Sequence, residues 1–282
     1  MAAQFCEKRD LLYWPEFEFD FRLDVPRLLP HLAAIEACHE AVSNRVLPPP
    51  WRESAGQETA KSTNGQPAQD SIAPGKELYA NAPYNWIRKR FSPGGAPLSV
   101  EDILQAHRLV ACEPGAYSSK PGAWRSYGVQ VGRRESGGMH LGAPVERLPA
   151  LMSRYVGYIN RADVRGLPPA VHALVAHFLF TTIHPFDDGN GRVCRLIAAG
   201  ILFQRGYNGH GFYALSNHFY LHEVRYHSLL QQCWQNPLPF DLTGFVAFGI
   251  EGLVAELQGV NNFLRVKLHR TADGSLVHPA HG

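Results

Sequence analysis

Apolar positions recur at helical spacing along most of the chain. Leu28, Leu29, Leu32, Ile35 and Val42 form an imperfect 3.6-residue stripe that predicts a helix from Pro26 to about Ser43, ended by Pro48-Pro49-Pro50. Large apolar residues then become sparse from Ser54 to Gly75, which predicts a loop, or a weak surface helix followed by a loop. Periodicity returns over Tyr84–Phe91 and from about Ser99 to Cys112, where Ser99-x-x-Asp102 has the spacing of a helix cap. Trp124, Tyr127, Val129 and Val131 sit near a period of two between glycines, which predicts a short hairpin or flap. Helical spacing resumes over Val145–Ile159 and Ala170–Ile183. In the second, Val171, Leu174, Val175, Phe178 and Leu179 predict one apolar face. Further helices are expected after Asn190, over His218–Trp234 and over Leu242–Leu257. The pattern predicts a mostly α single domain with one small β element and no internal repeat.

Composition narrows this little. Hydrophobic residues at 45% suffice for a buried core, and 27 basic against 25 acidic residues leave a formal net charge of +2. That near-balance argues against nucleic acid as a partner. The five cysteines are scattered with no CxxC pair, which disfavours zinc knuckles and fits a reducing, cytoplasmic setting. The first residues show no leader pattern, and no run of ~18 apolar residues predicts a membrane span.

The chemistry concentrates in His184-Pro-Phe-Asp-Asp-Gly-Asn-Gly-Arg-Val-Cys-Arg195. Pro185 stops the incoming helix, and Gly189 and Gly191 permit a tight turn into the next. The free amides of that next helix form a nest for an anion. Arg192 and Arg195, three apart, emerge on one side of its first turn and reach further phosphate oxygens. Asp188 stands where a hard cation bridging phosphates needs an oxygen ligand, and His184 can take a proton near neutral pH. Elsewhere, His222 and His227 are five apart, about 140° around a helix, so they do not make the HExxH pair of a zinc protease. His218 and His222 are four apart but lack an evident third ligand, and no phosphate-binding P-loop motif occurs.

At these residues the sequence resembles the Fic-domain family. His-x-Phe-x-Asp-Gly-Asn-Gly-Arg-x-x-Arg matches the family signature at every defined position. Pro114-Gly115-Ala-Tyr117, the patch Trp124-Arg125 to Val131-Gly132, and His177 to His184 look like the family's flap and central helix. Ser216 and Tyr226 fall where the family has its following helix. The resemblance runs from about Leu98 to Leu253. It implies a Fic-type helical domain with a β-hairpin flap, spanning 98-255. An N-terminal helical region, 1-97, would precede it, and a helix end and tail, 256-282, would follow.

It also implies a protein adenylyltransferase that moves AMP from Mg-ATP to a Ser, Thr or Tyr hydroxyl of a target protein and releases pyrophosphate. In that reading His184 is the base, Asp188 holds Mg²⁺, and Phe186 anchors the loop. Phe186, Asp187, Gly189, Asn190, Gly191, Arg192 and Arg195 make up the nucleotide site, and Val129 and Val131 on the flap hold the target as an added strand. Family members with an inhibitory helix carry [Ser/Thr]-x-x-x-Glu-[Gly/Asn]. Ser54 to Glu58 fits this pattern until Thr59, which makes Glu58 the inhibitory candidate, while Ser62 to Gln66 has an amide in place of the carboxylate. Three alternatives stay open: removal of AMP, transfer of another phosphate-containing group, and a non-catalytic toxin–antitoxin or regulatory module. The partners expected are ATP and the hydroxyl-bearing target, with a second copy of the chain left open and no membrane.

Overall fold

The computed structural model describes residues 18–43, 76–111, 120–131, 140–207, 215–235 and 239–267. Glu58, the Ser62–Gln66 alternative, the Pro114–Tyr117 segment and the outer part of the flap lie outside these residues. The described residues hold ten α-helices and four two-residue strands, and the fold is predominantly α. Strand β1 (Phe21–Arg22) precedes α1 (Val25–Ser43), α2 (Lys76–Arg90) and α3 (Val100–Ala111). Strands β2 (Gln130–Val131) and β3 (His140–Leu141) come next. They are followed by α4 (Leu148–Ile159), α5 (Ala162–Arg165), α6 (Pro169–Ile183) and α7 (Asn190–Gln204). After these come α8 (Leu215–Leu221), α9 (Glu223–Gln235), β4 (Phe240–Asp241) and α10 (Thr243–Lys267).

Helix α6 is the axis of the domain. Its sequence pattern predicts a single apolar face, yet every residue from Ala170 to Ile183 is buried. The reason is that α4, α7 and α10 all pack against it, so its small and polar positions are covered too. Several of the enclosed polar groups find partners, as most buried groups do. His172 Nε2 meets the Ile159 carbonyl at 3.1 Å, and Tyr155 donates to the Ala176 carbonyl at 3.0 Å. Close approach of α10 to α6 depends on Gly249, where an added Cβ would lie 2.3 Å from the Leu174 side chain.

Several elements follow their local chemistry. Ser99 and Asp102 make a reciprocal cap at the start of α3: Ser99 N donates to Asp102 Oδ2 at 2.8 Å, and Asp102 N donates to Ser99 Oγ at 3.1 Å. Asp102 also takes two bonds from Arg90, both 2.7 Å, which fixes α2 to α3. Helix α1 buries Leu28, Ile35 and Val42 against α10 and leaves Leu29 exposed. The two ends of the domain are joined by a parallel β1–β4 pair, Phe21 opposite Phe240 and Arg22 opposite Asp241. Asp24 N donates to Thr243 Oγ1 at 2.8 Å beside it.

Two expectations change. The stretch His218–Trp234 is two helices, α8 and α9, that meet at His222. A one-residue break leaves apolar spacing almost unaltered, so periodicity cannot register it. The alternation from Trp124 to Val131 yields only the β2–β3 ladder, Gln130 opposite Leu141 and Val131 opposite His140. Trp124 belongs to no strand; it stacks on Phe186, ring centroids 5.1 Å apart. No helix among the described residues is long and apolar enough to cross a membrane.

Candidate active site

Helix α6 ends because Pro185 cannot continue it, and the chain leaves through a strained residue. His184 has φ 53° and ψ 63°, the one non-glycine residue with positive φ among those described. A side chain held in this region costs about 1–2 kcal/mol, which a functional site can retain when its surroundings over-determine it. Those surroundings are visible. His184 N donates to the Phe180 carbonyl at 2.9 Å, and its own carbonyl accepts from Arg125 Nε at 2.8 Å.

Phe186 is completely buried, stacked on His107 with centroids 3.7 Å apart and on Trp124. Asn190 spends its side chain inside the loop: Oδ1 accepts from Phe186 N at 2.9 Å, and Nδ2 donates to the Phe186 carbonyl at 2.8 Å. Gly189 (φ 79°) makes the left-handed turn before α7, which only glycine enters freely.

The turn opens onto a cavity of about 320 Å³ lined by His184, Asp187, Asp188, Gly189, Asn190, Gly191, Arg192 and Arg195. All the residues expected at the nucleotide site meet there except Phe186, which supports the loop from below. Arg192 donates to Asp188 Oδ2 at 2.9 Å and to the Val110 carbonyl at 3.0 Å. Asp187 Oδ1 accepts from the Asp188 amide at 2.9 Å. Burial pulls the Arg195 guanidinium below its ordinary range, although an arginine remains charged there. The cavity thus combines two cations, two carboxylates and the free amides of a helix start, a setting for an anionic ligand.

His184 is lowered to about 4, chiefly by burial, so it is a neutral imidazole at physiological pH. Its Nδ1 lies 3.4 Å from the Thr181 carbonyl, which can only accept. The proton therefore sits on Nδ1, and Nε2 keeps the basic lone pair. Beneath the loop, His177 Nε2 and the Tyr226 hydroxyl meet at 2.9 Å.

The base of the flap is bolted to the same helix end. Arg125, 4% exposed, donates to the carbonyls of His184 and Tyr127 at 2.8 Å each, and to that of Ala143. Arg125 N donates to the Pro185 carbonyl at 3.0 Å, and Ala143 N to that of Ile183 at 2.9 Å. His140 Nε2 reaches the Thr182 carbonyl at 2.8 Å. Val131 is buried and Val129 half-buried, so whatever approaches this edge meets main chain more than valine side chains. Sequence reading gave Arg125 no role, and His107 went unnoticed. Each serves distant main-chain carbonyls or amides, and such partners leave no trace in spacing. Arg125→Lys should lower unfolding stability by on the order of 2–4 kcal/mol, because an ammonium cannot serve three divergent carbonyls. Urea titration of the folded protein measures it.

The buried histidines make a pH dependence. His107, His172 and His184 are each lowered to about 4 and His177 to about 3, burial being the main cause in all four. The unfolded chain binds these protons near pH 6.5 and the folded one does not, so the stabilisation is complete above about 6.5. It declines as the pH falls from there towards about 4. Melting temperatures across that interval should drop steeply, and the slope should diminish in His172→Phe.

Fold and site together define a predominantly helical domain built around an interhelical loop with a neutral histidine at its rim. Residues 97–202 match the family model described as the Fic/DOC family. Among curated proteins, a protein adenylyltransferase Fic of Culex quinquefasciatus is 33% identical over 110 residues, covering 39% of this chain and 20% of that protein. The Drosophila melanogaster counterpart is also 33% identical over 110 residues, with coverage of 39% and 21%. The matched region thus spans about a fifth of the length of these relatives. A Fic family protein from Desulfovibrio desulfuricans superposes with a TM-score of 0.70 at 19% identity, covering 91% of this chain and 79% of that one. IbpAFic2, covalently tethered to Cdc42, gives 0.55 at 17% identity, covering 91% and 76%. These last two are likenesses of fold. Over residues 97–202 the chain matches the Fic/DOC family, and its fold is like that of the Fic family structures.

Proposed function

We propose that this protein is an adenylyltransferase that moves AMP from Mg-ATP to a hydroxyl of a target protein. The observation that carries the reading is the neutral His184, basic at Nε2, on the rim of a cavity walled by Asp188, Arg192, Arg195 and the first amides of α7. An α-phosphate placed over those amides stands beside the imidazole. The target hydroxyl loses its proton to Nε2 as its oxygen bonds to the α-phosphorus, and the bond to the β-phosphate oxygen breaks, freeing pyrophosphate. Arg192 and Arg195 meet the charge that collects on the departing oxygens. The names of the curated relatives support the transferred group, and the Cdc42-tethered neighbour supports a protein as the acceptor.

Mg²⁺ is characteristically held by one or two carboxylates and otherwise by substrate phosphates and water. Asp188, with its carboxylate about a third exposed on the cavity wall, fits that demand. Bound there, the ion would neutralise the triphosphate. Among the described residues no group of three or more His, Cys, Asp or Glu side chains comes together to hold a metal ion.

Incubation of the purified protein with ATP and Mg²⁺, followed by intact mass measurement, tests the reading. An increase by one AMP on the protein or on a target supports it. An increase by phosphate, or loss of AMP from a modified target, would assign the fold to the alternative chemistries, and absence of any change with every target would leave a binding module.

A further inference from the structure

His107 lies in α3, behind the cavity wall rather than on it, and is completely buried. Its Nδ1 accepts the Gly122 N–H at 2.9 Å, and a backbone N–H can only donate, so Nδ1 holds the lone pair. Its Nε2 lies 3.1 Å from the Asp188 carbonyl, which can only accept, so Nε2 holds the proton. Two unrelated partners thus require one tautomer. The ring itself lies flat on Phe186, with 9° between the planes.

One turn further along α3, the Val110 carbonyl accepts from Arg192, whose other nitrogen holds Asp188 Oδ2. Helix α3 therefore grips Asp188 twice, at the main chain through His107 and at the carboxylate through Arg192. Gly189 fits between them: an added Cβ would lie 3.4 Å from the His107 ring and 3.3 Å from Val110. The His107–Gly122 bond also joins the segment leading to the flap to this same point.

We infer that His107 is the positioning residue of the metal–nucleotide site: by fixing the Asp188 carbonyl it aims the Asp188 carboxylate into the cavity without touching the nucleotide. The inference rests on the proposed function for what Asp188 binds. The tautomer and the contacts stand apart from it. Partners in this outer position change metal affinity by about 10–100-fold when removed.

Calorimetric titration of ATP, with and without Mg²⁺, reads the effect without turnover. His107→Phe keeps the stack on Phe186 and removes both hydrogen bonds. It should reduce the Mg²⁺-dependent gain in ATP affinity about tenfold, with affinity in the absence of Mg²⁺ unchanged. His107→Gln, whose amide can donate to the Asp188 carbonyl, should recover most of that gain. Ring ¹⁵N shifts of the wild type at neutral pH should show the proton on Nε2. An undiminished gain in His107→Phe, or the opposite tautomer, overturns the inference and leaves the proposed function standing. If the Phe variant does not fold, a Gln variant that loses the whole gain overturns it as well. A wild type whose ATP affinity ignores Mg²⁺ would sink both readings.

Discussion

His184→Ala should lower AMP transfer by about 10²–10⁴-fold while ATP affinity stays close to that of the wild type. The imidazole acts on the incoming hydroxyl, whereas the phosphates meet Asp188, the arginines and the amides of α7. Alanine leaves the strained backbone in place, so a folding defect could imitate loss of the base. His184→Asn answers this, since asparagine tolerates the left-handed region and cannot accept a proton at these pH values. Both variants should melt near the wild type and both should be inactive. With His184 lowered to about 4, wild-type transfer should also lack the falling limb near pH 6.5 that an ordinary histidine base would give. Rate measurements across that interval decide the matter, and full activity in either variant removes His184 from the role.

Asp188→Ala should reduce transfer by about 100-fold or more at moderate Mg²⁺, with loss in both nucleotide binding and rate. Here the substitution has two consequences. It removes the only carboxylate oxygen assigned to the cation, and it frees Arg192 from its 2.9 Å partner. With that ion pair gone the arginine attracts bare triphosphate more strongly, so ATP affinity without Mg²⁺ should hold or rise while the Mg²⁺-dependent part disappears. Titrations in the two conditions separate these effects. Equal Mg²⁺ dependence in variant and wild type would show that another group carries the ion.

Much of the site was legible because its parts are contiguous: a proline stop, two glycines, a carboxylate and two arginines between the end of α6 and the second turn of α7. The helices α1, α3, α4, α6 and α7 were legible from apolar spacing and from the Ser99–Asp102 cap, a local interaction. What escaped depends on distant residues meeting. The complete burial of α6 reflects neighbours that its own sequence cannot reveal. The β1–β4 pair joins Phe21 to Phe240, with no turn between them to announce it. Asn190, expected among phosphate contacts, also has both polar atoms of its side chain bonded to Phe186, a contact that its sequence position does not announce. Arg125 and His107 reach carbonyls 59 and 81 positions away. Buried polar side chains of this kind look in sequence like ordinary surface residues.

Whether the His184–Arg195 loop transfers the α-phosphoryl group of ATP with its nucleoside is open to direct measurement. Parallel incubations with ATP labelled at the α-phosphorus or at the γ-phosphorus, in the presence of Mg²⁺ and candidate target proteins, address it directly. The α label should become covalently attached to protein, pyrophosphate should appear in equal amount, and neither should occur with His184→Ala. Attachment of the γ label instead, or α label undiminished in His184→Ala, would contradict this role of the loop.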